Sequence, residues 1–155
     1  MTLTEFASAS GLIFGVAGSV LGVMNFLRDR AKVVVTLQWD MVSTDNPREV
    51  SGVIRVTNAG RRSTYISHVA LRLPKGYQHH HLLIVGGIAG KKLSEGDPPQ
   101  IYLVDQSGLE KYADHWRDLV AQVSDTTNKV WISKKLHKRE LPTWAKKAAK
   151  NYGEV

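Results

Sequence analysis

The sequence predicts a mainly β protein: an N-terminal hydrophobic α-helix, then a seven-stranded antiparallel β-sandwich of immunoglobulin-like type with one short inserted helix, and a basic C-terminal helix. Three observations predict it. Residues 6–27 carry no charged side chain, seven later segments alternate apolar and polar residues between turns, and basic residues crowd the last part of the chain. The predicted units are a transmembrane helix at 1–30, a β-domain at 31–133 and an amphipathic tail at 134–155. A partly open barrel is the alternative fold.

The uncharged segment is long enough to cross a membrane. As an α-helix it extends about 33 Å, and the hydrocarbon layer of a bilayer is about 30 Å thick. Thr2 and Glu5 have the spacing of a capping box, which predicts that the helix begins at Leu3. Apolar residues lie all round the helix, which is typical of a helix in lipid. The alternative is an apolar helix that is buried in a soluble oligomer.

The charges on either side of this helix predict its orientation. Arg28, Arg30 and Lys32 follow it, and we expect them to contact lipid headgroups, whereas the residues before it include Glu5 and no lysine or arginine. A signal peptide begins with basic residues and ends at a small-residue cleavage site, which residues 25–28 do not provide. The segment is therefore predicted to be an uncleaved, single-pass anchor in the inner membrane. The positive-inside rule predicts that the soluble domain which follows it lies in the cytoplasm.

Small and polar residues form one stripe along this helix. They recur at steps of three and four and so share a face: Ser8, Gly11, Gly15, Gly18, Gly22 and Asn25. Glycine in a helix interior costs about 0.5–1 kcal/mol relative to alanine. Four glycines on one face, in small-xxx-small spacing, therefore predict close helix–helix contact and self-association of the chain.

Alternating segments predict seven strands. They cover residues 31–41, 49–58, 65–73, 81–85, 100–104, 119–123 and 130–133. In the first strand, the residues predicted to face the core are Val33, Val35, Leu37, Trp39 and Met41. Ile66 is out of phase with the apolar residues that follow it, which predicts a β-bulge near Ser67 or His68.

Two connections between these strands have their own signals. Residues 93–99 are rich in turn-forming residues and are predicted to be an irregular connection. Ser107 and Glu110 have capping-box spacing, which predicts the start of the short inserted helix.

The tail holds most of the net charge of +7. Residues 134–150 contain one acidic residue, Glu140, and seven basic residues: Lys134, Lys135, Lys138, Arg139, Lys146, Lys147 and Lys150. Trp144 and Ala145 share an apolar face of the predicted tail helix. Such a basic amphipathic helix is predicted to bind an anionic membrane surface through its basic residues and Trp144. A solvated tail and a nucleic-acid contact are the alternatives, but the nearly balanced charge of the central domain disfavours nucleic acid.

Several segments together carry a resemblance to other proteins. They are residues 27–30, 33–39, 56–67, 93–97 and 123–127. In this arrangement the chain resembles uncharacterised small bacterial and phage-encoded proteins that have an N-terminal hydrophobic helix and a β-sandwich. The resemblance is architectural and covers most of residues 12–133. It implies a membrane-anchored sandwich of unknown role and supplies no catalytic residue.

No catalytic, cofactor or metal site is predicted. The chain has no cysteine, which excludes thiol nucleophiles and zinc–thiolate sites. His79, His80 and His81 are adjacent, so on a strand their side chains alternate between faces and do not converge on one ion. Residues 86–92 lack the first glycine and the hydroxyl residue of a phosphate-binding loop.

These patterns favour a non-enzymatic interaction protein. Its helix would self-associate in the membrane, and its sandwich would bind an unidentified protein partner by an exposed sheet edge. One alternative is an oligomeric effector that disrupts membranes, is gated by the sandwich and belongs to a phage-related or defence setting. Another is a soluble homo-oligomer with a buried helical bundle.

Overall fold

The computed structural model describes residues 3–45, 49–84, 86–87 and 90–146. One α-helix, α1, spans Leu3–Arg28. The strands are β1 Val33–Val42, β2 Val50–Asn58, β3 Thr64–Arg72, β4 His81–Leu83, β5 Lys91–Leu93, β6 Gln100–Asp105, β7 Val120–Asp125 and β8 Val130–Ile132. Two 3₁₀ helices lie at Glu110–Asp118 and Lys138–Glu140, and residues 143–146 are α-helical.

The strands form two antiparallel sheets. The first has the order β1-β2-β6, and the second has the order β4-β3-β7-β8, with β5 also paired to β3. The buried faces of both sheets contribute to one hydrophobic core, in which Ile54, Val56, Val69 and Leu71 are fully buried. The prediction of a mainly β, antiparallel protein behind an N-terminal apolar helix is confirmed.

Strand β1 follows the predicted alternation for most of its length. Val33, Val35, Leu37 and Trp39 are buried, as predicted, because alternate side chains of a strand face the same side. The prediction for Met41 is wrong, since its side chain is 43% exposed. The β1–β2 register shifts between Gln38 and Met41, where Asp40 has a φ of +56°, and the buried–exposed alternation ends there, since Val42 is also 51% exposed.

The predicted bulge in the third strand is confirmed. The register between β3 and β7 shifts between Ile66 and His68. Ile66, which precedes the bulge, is 1% exposed, and Val69, which follows it, is fully buried. The extra residue therefore lets two apolar segments of opposite phase face one core.

The predicted irregular connection is confirmed for residues 94–99, but its first residue, Leu93, ends strand β5, which pairs with Thr64–Ile66 and was not predicted. The inserted helix is a 3₁₀ helix whose N-cap is Leu109, with no side-chain cap, so the predicted capping box at Ser107 does not form. Instead, the Ser107 backbone nitrogen donates a 2.8 Å hydrogen bond to the Asp105 carboxylate.

The start of the tail is part of the core, which corrects the prediction for Trp144. Its side chain is 4% exposed, and its ring meets the edge of the Trp39 ring at a centroid distance of 5.7 Å. Thr143 fixes this docking, because its backbone nitrogen and hydroxyl donate to the Asp40 carboxylate at 2.7 and 2.9 Å. Trp144 is therefore a packing residue of the β-domain and is not available to a membrane surface.

Candidate membrane interface

Helix α1 contains the segment that can span a membrane. Over Ser10–Leu27 the mean hydropathy is 1.7, and none of these 18 residues is buried. Large apolar side chains are open on several sides of the helix, for example Leu12 at 71% and Phe14 at 76% exposure. By length and composition the helix can cross a bilayer, and the rest of the described chain does not cover its apolar surface.

The glycine stripe is open along its whole length. A Cβ atom placed on Gly11, Gly15, Gly18 or Gly22 would meet no atom within 4 Å. Ser8 and Asn25, at the two ends of the stripe, are also exposed. The Ser19 hydroxyl beside the stripe donates a 2.8 Å hydrogen bond to the Gly15 carbonyl oxygen, so this polar group has a partner within the helix.

The connection from α1 to the β-domain is closely packed against the β2–β3 turn. The Ala59 nitrogen donates a 2.8 Å hydrogen bond to the Lys32 carbonyl oxygen. A Cβ atom at Gly60 would overlap the Arg30 carbonyl oxygen and the Lys32 nitrogen, so only glycine fits there. We call this end of the β-domain, where the chain arrives from α1, the helix-proximal end.

The buried Asn58 side chain holds this turn in shape. Its amide oxygen accepts a hydrogen bond from the Gly60 nitrogen at 2.9 Å. Its amide nitrogen donates to the carbonyl oxygens of Arg62 at 2.9 Å and Leu93 at 3.1 Å. The Asn58 side chain thus connects the turn to β5. The turn packs against residues 30–32 and so fixes their position on the β-domain.

The helix-proximal end has a polar cleft of about 340 Å³. Arg30, Arg62 and Lys129 contribute its basic side chains, and hydroxyl residues form much of the remaining wall. The Arg30 guanidinium also lies 5.1 Å from the centre of the Phe26 ring at the end of α1. The cleft therefore begins where the apolar helix stops.

Asp125 forms part of the cleft wall and organises the β7–β8 hairpin. Its Oδ1 atom accepts hydrogen bonds from the Thr127 nitrogen, the Thr127 hydroxyl and the Lys129 nitrogen at 2.8, 2.7 and 2.9 Å. Burial raises its pKa, but the hydrogen bonds from Thr127, Lys129 and Thr64 outweigh burial and lower the pKa below 3.8. The carboxylate is 5% exposed and stays charged at neutral pH.

The structure separates the two basic groups that were predicted to bind the membrane together. Arg28, Arg30 and Lys32 lie at the helix-proximal end, whereas the tail leaves β8 at the opposite end of the domain, where Ser133 pairs with Ala121. The described tail residues there are Lys134, Lys135, Lys138, Arg139 and Lys146. The length of β1, about 33 Å for ten residues, separates the two ends. Lys147 and Lys150 lie outside the described residues.

Polar contacts hold part of the tail against the distal end. Lys135 forms an ion pair with Asp118, which lowers the pKa of that carboxyl group through its hydrogen bond. The Arg117 side chain donates a 3.3 Å hydrogen bond to the Leu136 carbonyl oxygen. The charge of Lys135 is therefore partly neutralised by Asp118 within the domain.

Sequence reasoning missed most of the basic residues at the helix-proximal end. Arg61, Arg62, Lys91, Lys92 and Lys129 come from three different connections that meet there. The available signal was the Asn58-Ala59-Gly60 turn, since its chain reversal places Arg61 and Arg62 next to the end of α1.

Strand β6 leaves one edge of the first sheet unpaired within the described residues, since it pairs with β2 alone. Ile101 and Leu103 on its outer face are 58% and 65% exposed. Between β6 and β4 runs an apolar groove of about 420 Å³, whose walls include Leu82 and Leu83. The β6 edge therefore combines free backbone groups with exposed apolar side chains.

The remaining candidates show no organised site in the described part of the chain. His79, His80 and His81 are exposed, and the His81 ring lies 3.2 Å from the Gln122 side-chain oxygen. The segment 86–92 is described only in part, because residues 88 and 89 lie outside the described residues. Comparison with known proteins finds no family model, curated protein or solved structure that matches this chain.

Replacing Asp125 with alanine is expected to destabilise the β-domain by about 3 kcal/mol at neutral pH, because four donors, the Thr64 hydroxyl among them, would lose a charged acceptor. Since the folded-state pKa lies below the ordinary value of 3.8, the part of this stabilisation that depends on the negative charge is complete well above pH 3.8 and is lost as the pH falls through the folded-state pKa. Chemical denaturation of both proteins across the acidic range measures it.

Asp97→Ala is the matched control for that experiment, since the exposed Asp97 carboxylate accepts one turn hydrogen bond, from the Ser94 nitrogen. It is expected to cost about 1 kcal/mol or less. Equal losses for the two variants, or a loss in Asp125→Ala that persists unchanged into strong acid, would contradict the assignment.

Proposed function

We propose that this chain is a non-enzymatic, membrane-anchored interaction protein. Helix α1 crosses the inner membrane once, copies associate through the glycine stripe, and the β-domain binds a protein partner in the cytoplasm. One observation carries the proposal: the 18-residue apolar segment Ser10–Leu27 is long enough to span a bilayer, and no part of it is buried. A core helix of a soluble domain would have its apolar side chains covered.

The orientation rests on charge. The basic residues Arg28, Arg30 and Lys32 immediately follow α1, and the fold adds Arg62 and Lys129 at the same end. Clusters of lysine and arginine close to the end of a membrane helix favour the cytoplasmic side. This supports a cytoplasmic β-domain.

The strand order supports an immunoglobulin-like sandwich. In that fold, strands A, B and E are neighbours in one sheet, and strands C, F and G are neighbours in the other. Here β1-β2-β6 and β3-β7-β8 occupy the same relative positions in the chain and in the sheets. Because such folds serve many functions, the function is argued from the exposed surfaces and not from the fold.

The glycine stripe supports self-association. Small residues allow two helix backbones to approach closely in lipid, where van der Waals packing drives association. The space above Gly15 and Gly18 is empty in the single chain, so a second helix can occupy it without displacing anything. The Ser19 hydroxyl is already bonded to Gly15 and does not need a partner across the contact.

The β6 edge supports the binding of an extended segment from a different protein. An added strand would pair with the free backbone groups of β6 and place its own alternate apolar residues beside Ile101 and Leu103. A second copy does not fit, because antiparallel pairing of two β6 strands would point the two helix-proximal ends in opposite directions. Two copies that are anchored in one membrane cannot adopt that arrangement.

Membrane fractions that contain the full-length protein are expected to retain it through alkaline carbonate extraction, because a spanning helix is held by its apolar surface and not by charge. Immunoblotting of pellet and supernatant measures this. Val16→Arg, which places a charge near the middle of the segment, is expected to reduce the retained fraction, since a central arginine costs about 2.5–3.5 kcal/mol on insertion. Full release of the unaltered protein would support the soluble oligomer instead.

Gly15→Leu combined with Gly18→Leu is expected to lower the crosslinked dimer fraction in membranes about tenfold, equivalent to roughly 1.4 kcal/mol, because the added side chains fill the space that a second helix would occupy. The matched control is Ala17→Leu with Val20→Leu. At 100° per residue, Val20 lies about 200° from both Gly18 and Gly22, and Ala17 lies about 200° from Gly15 and about 100° from Gly18, so neither is on the stripe. Loss of crosslinking in both double variants would show that the stripe has no special role.

A photoreactive residue at position 103 is expected to crosslink in cells to one protein, through a segment whose apolar residues alternate. The same probe at Val130, on the edge strand β8 of the second sheet, is not expected to crosslink. Ile101→Lys is expected to lower the yield about tenfold, since burying an isoleucine contributes about 1.5 kcal/mol or more. Mass spectrometry of the crosslinked peptide identifies the segment. Equal yields at both positions, or no effect of Ile101→Lys, would exclude the β6 edge.

A further inference from the structure

We propose that the helix-proximal cleft binds a single anionic phosphate group, supplied by the headgroup of an acidic phospholipid. The proposal names the ligand of one defined site and rests on the proposed membrane anchor. Its basis is the convergence of Arg30, Arg62 and Lys129 on one cleft of about 340 Å³ at the end of the apolar helix. Arginine and lysine are the side chains that proteins use to bind phosphate oxygens.

The charges that line the cleft favour an anion. Its wall contains three cations and one carboxylate, that of Asp125. The carboxylate is 5% exposed, and its Oδ1 atom already accepts three hydrogen bonds from Thr127 and Lys129. No described carboxylate forms an ion pair with Arg30, Arg62 or Lys129, so their charges are available to a ligand.

Two of the three cations also rest on aromatic rings. The Arg30 guanidinium rests on the Phe26 ring at 5.1 Å, and the Lys129 amino group rests on the Trp131 ring at 5.2 Å. The Arg62 carbonyl oxygen accepts a hydrogen bond from Asn58, which fixes the backbone at that position. Because these contacts leave the N–H groups free to donate, part of the ordering cost of binding is met before the ligand arrives.

The position of the cleft favours a lipid over a soluble phosphate. The apolar segment ends at Leu27, three residues before Arg30, and a helix of this length brings its last residues to the headgroup region. Helix, junction and cleft are consecutive in space, since Gly60 packs directly on residues 30–32. A phosphate at the surface of the bilayer therefore lies level with the three cations.

The test uses the full-length protein in non-ionic detergent with equal amounts of phosphatidylglycerol and phosphatidylcholine, and native mass spectrometry counts the retained lipids. Phosphatidylglycerol is expected to be retained in preference. Arg62→Gln with Lys129→Gln is expected to reduce that preference about fivefold for each basic residue removed. Both side chains are exposed, and the Lys129 backbone bond to Asp125 remains, so the domain is expected to stay folded.

Two comparison variants separate a site from general charge. Lys134→Gln with Lys138→Gln removes two exposed positive charges at the distal end and is expected to leave the preference unchanged. Arg62→Lys with Lys129→Arg keeps both charges and is expected to retain most of it. Equal losses in the proximal and distal double variants, or no preference in the unaltered protein, would overturn the proposal.

A second arm distinguishes the source of the phosphate. In lipid-free detergent, inorganic phosphate is compared with chloride at equal ionic strength by the midpoint of thermal unfolding. A phosphate-specific rise that Arg62→Gln with Lys129→Gln abolishes, together with no preference for phosphatidylglycerol, would assign the site to a soluble phosphate and overturn the lipid assignment. Carbonate extraction of the same variant is expected to be unchanged, so failure of the anchor and failure of the site give different results.

Discussion

The exposed apolar surface of α1 is the constraint on which the rest of this protein depends. Ten large apolar side chains from Leu12 to Leu27 are more than half exposed. Moving each of them from water into an apolar environment contributes about 1.5–3 kcal/mol. Together they exceed the roughly 5–15 kcal/mol that keeps a typical domain folded. Covering this surface with lipid or with other copies of the helix is therefore strongly favourable, and the described residues of the β-domain do not cover it.

The junction between α1 and the β-domain determines which end of the β-domain lies next to the helix. Gly60 lets the β2–β3 turn pack directly on residues 30–32, and Asn58 ties the same turn to β5. The helix-proximal end is consequently basic, whereas the docked tail and its described lysines belong to the other end. The basic residues of the chain therefore form two separate groups in the fold, one at the helix-proximal end and one at the opposite end of the domain.

Local patterns predicted those parts of the fold that depend on neighbouring residues. The phase of β1 up to Trp39 and the bulge after Ile66 follow from alternation, which is set by adjacent positions. The prediction for Met41 was wrong because the alternation ends at the irregularity around Asp40, where φ is positive. Long-range contacts could not be predicted from local patterns. Asp40 and Thr143, whose hydrogen bonds dock Trp144 against the core, lie 103 positions apart in the sequence. Strand β5 was missed because Lys91-Lys92-Leu93 contains a single apolar residue and so shows no alternation.

The same limit applies to the candidate sites. The glycine stripe was predictable because helical periodicity alone places its members on one face. The helix-proximal cleft was not, because Arg62 and Lys129 meet only through the pairing of β3 with β7 and the turn of the β7–β8 hairpin. The stripe lies within one helix, so periodicity alone can locate it. The cleft is formed by residues from three parts of the chain, so only the tertiary structure can locate it.

These two kinds of surface also constrain each other. Association of α1 with a second α1 in one bilayer keeps the two β-domains pointing the same way, with their helix-proximal ends at the membrane. The β6 edges of both copies then run in the same direction, so neither can complete the other as an antiparallel strand. The proposed self-association through the helix would therefore leave both edges and their apolar residues Ile101 and Leu103 open. In that proposed assembly the β6 edge would be present more than once, and its avidity for a partner would increase with each copy that the helices bring together.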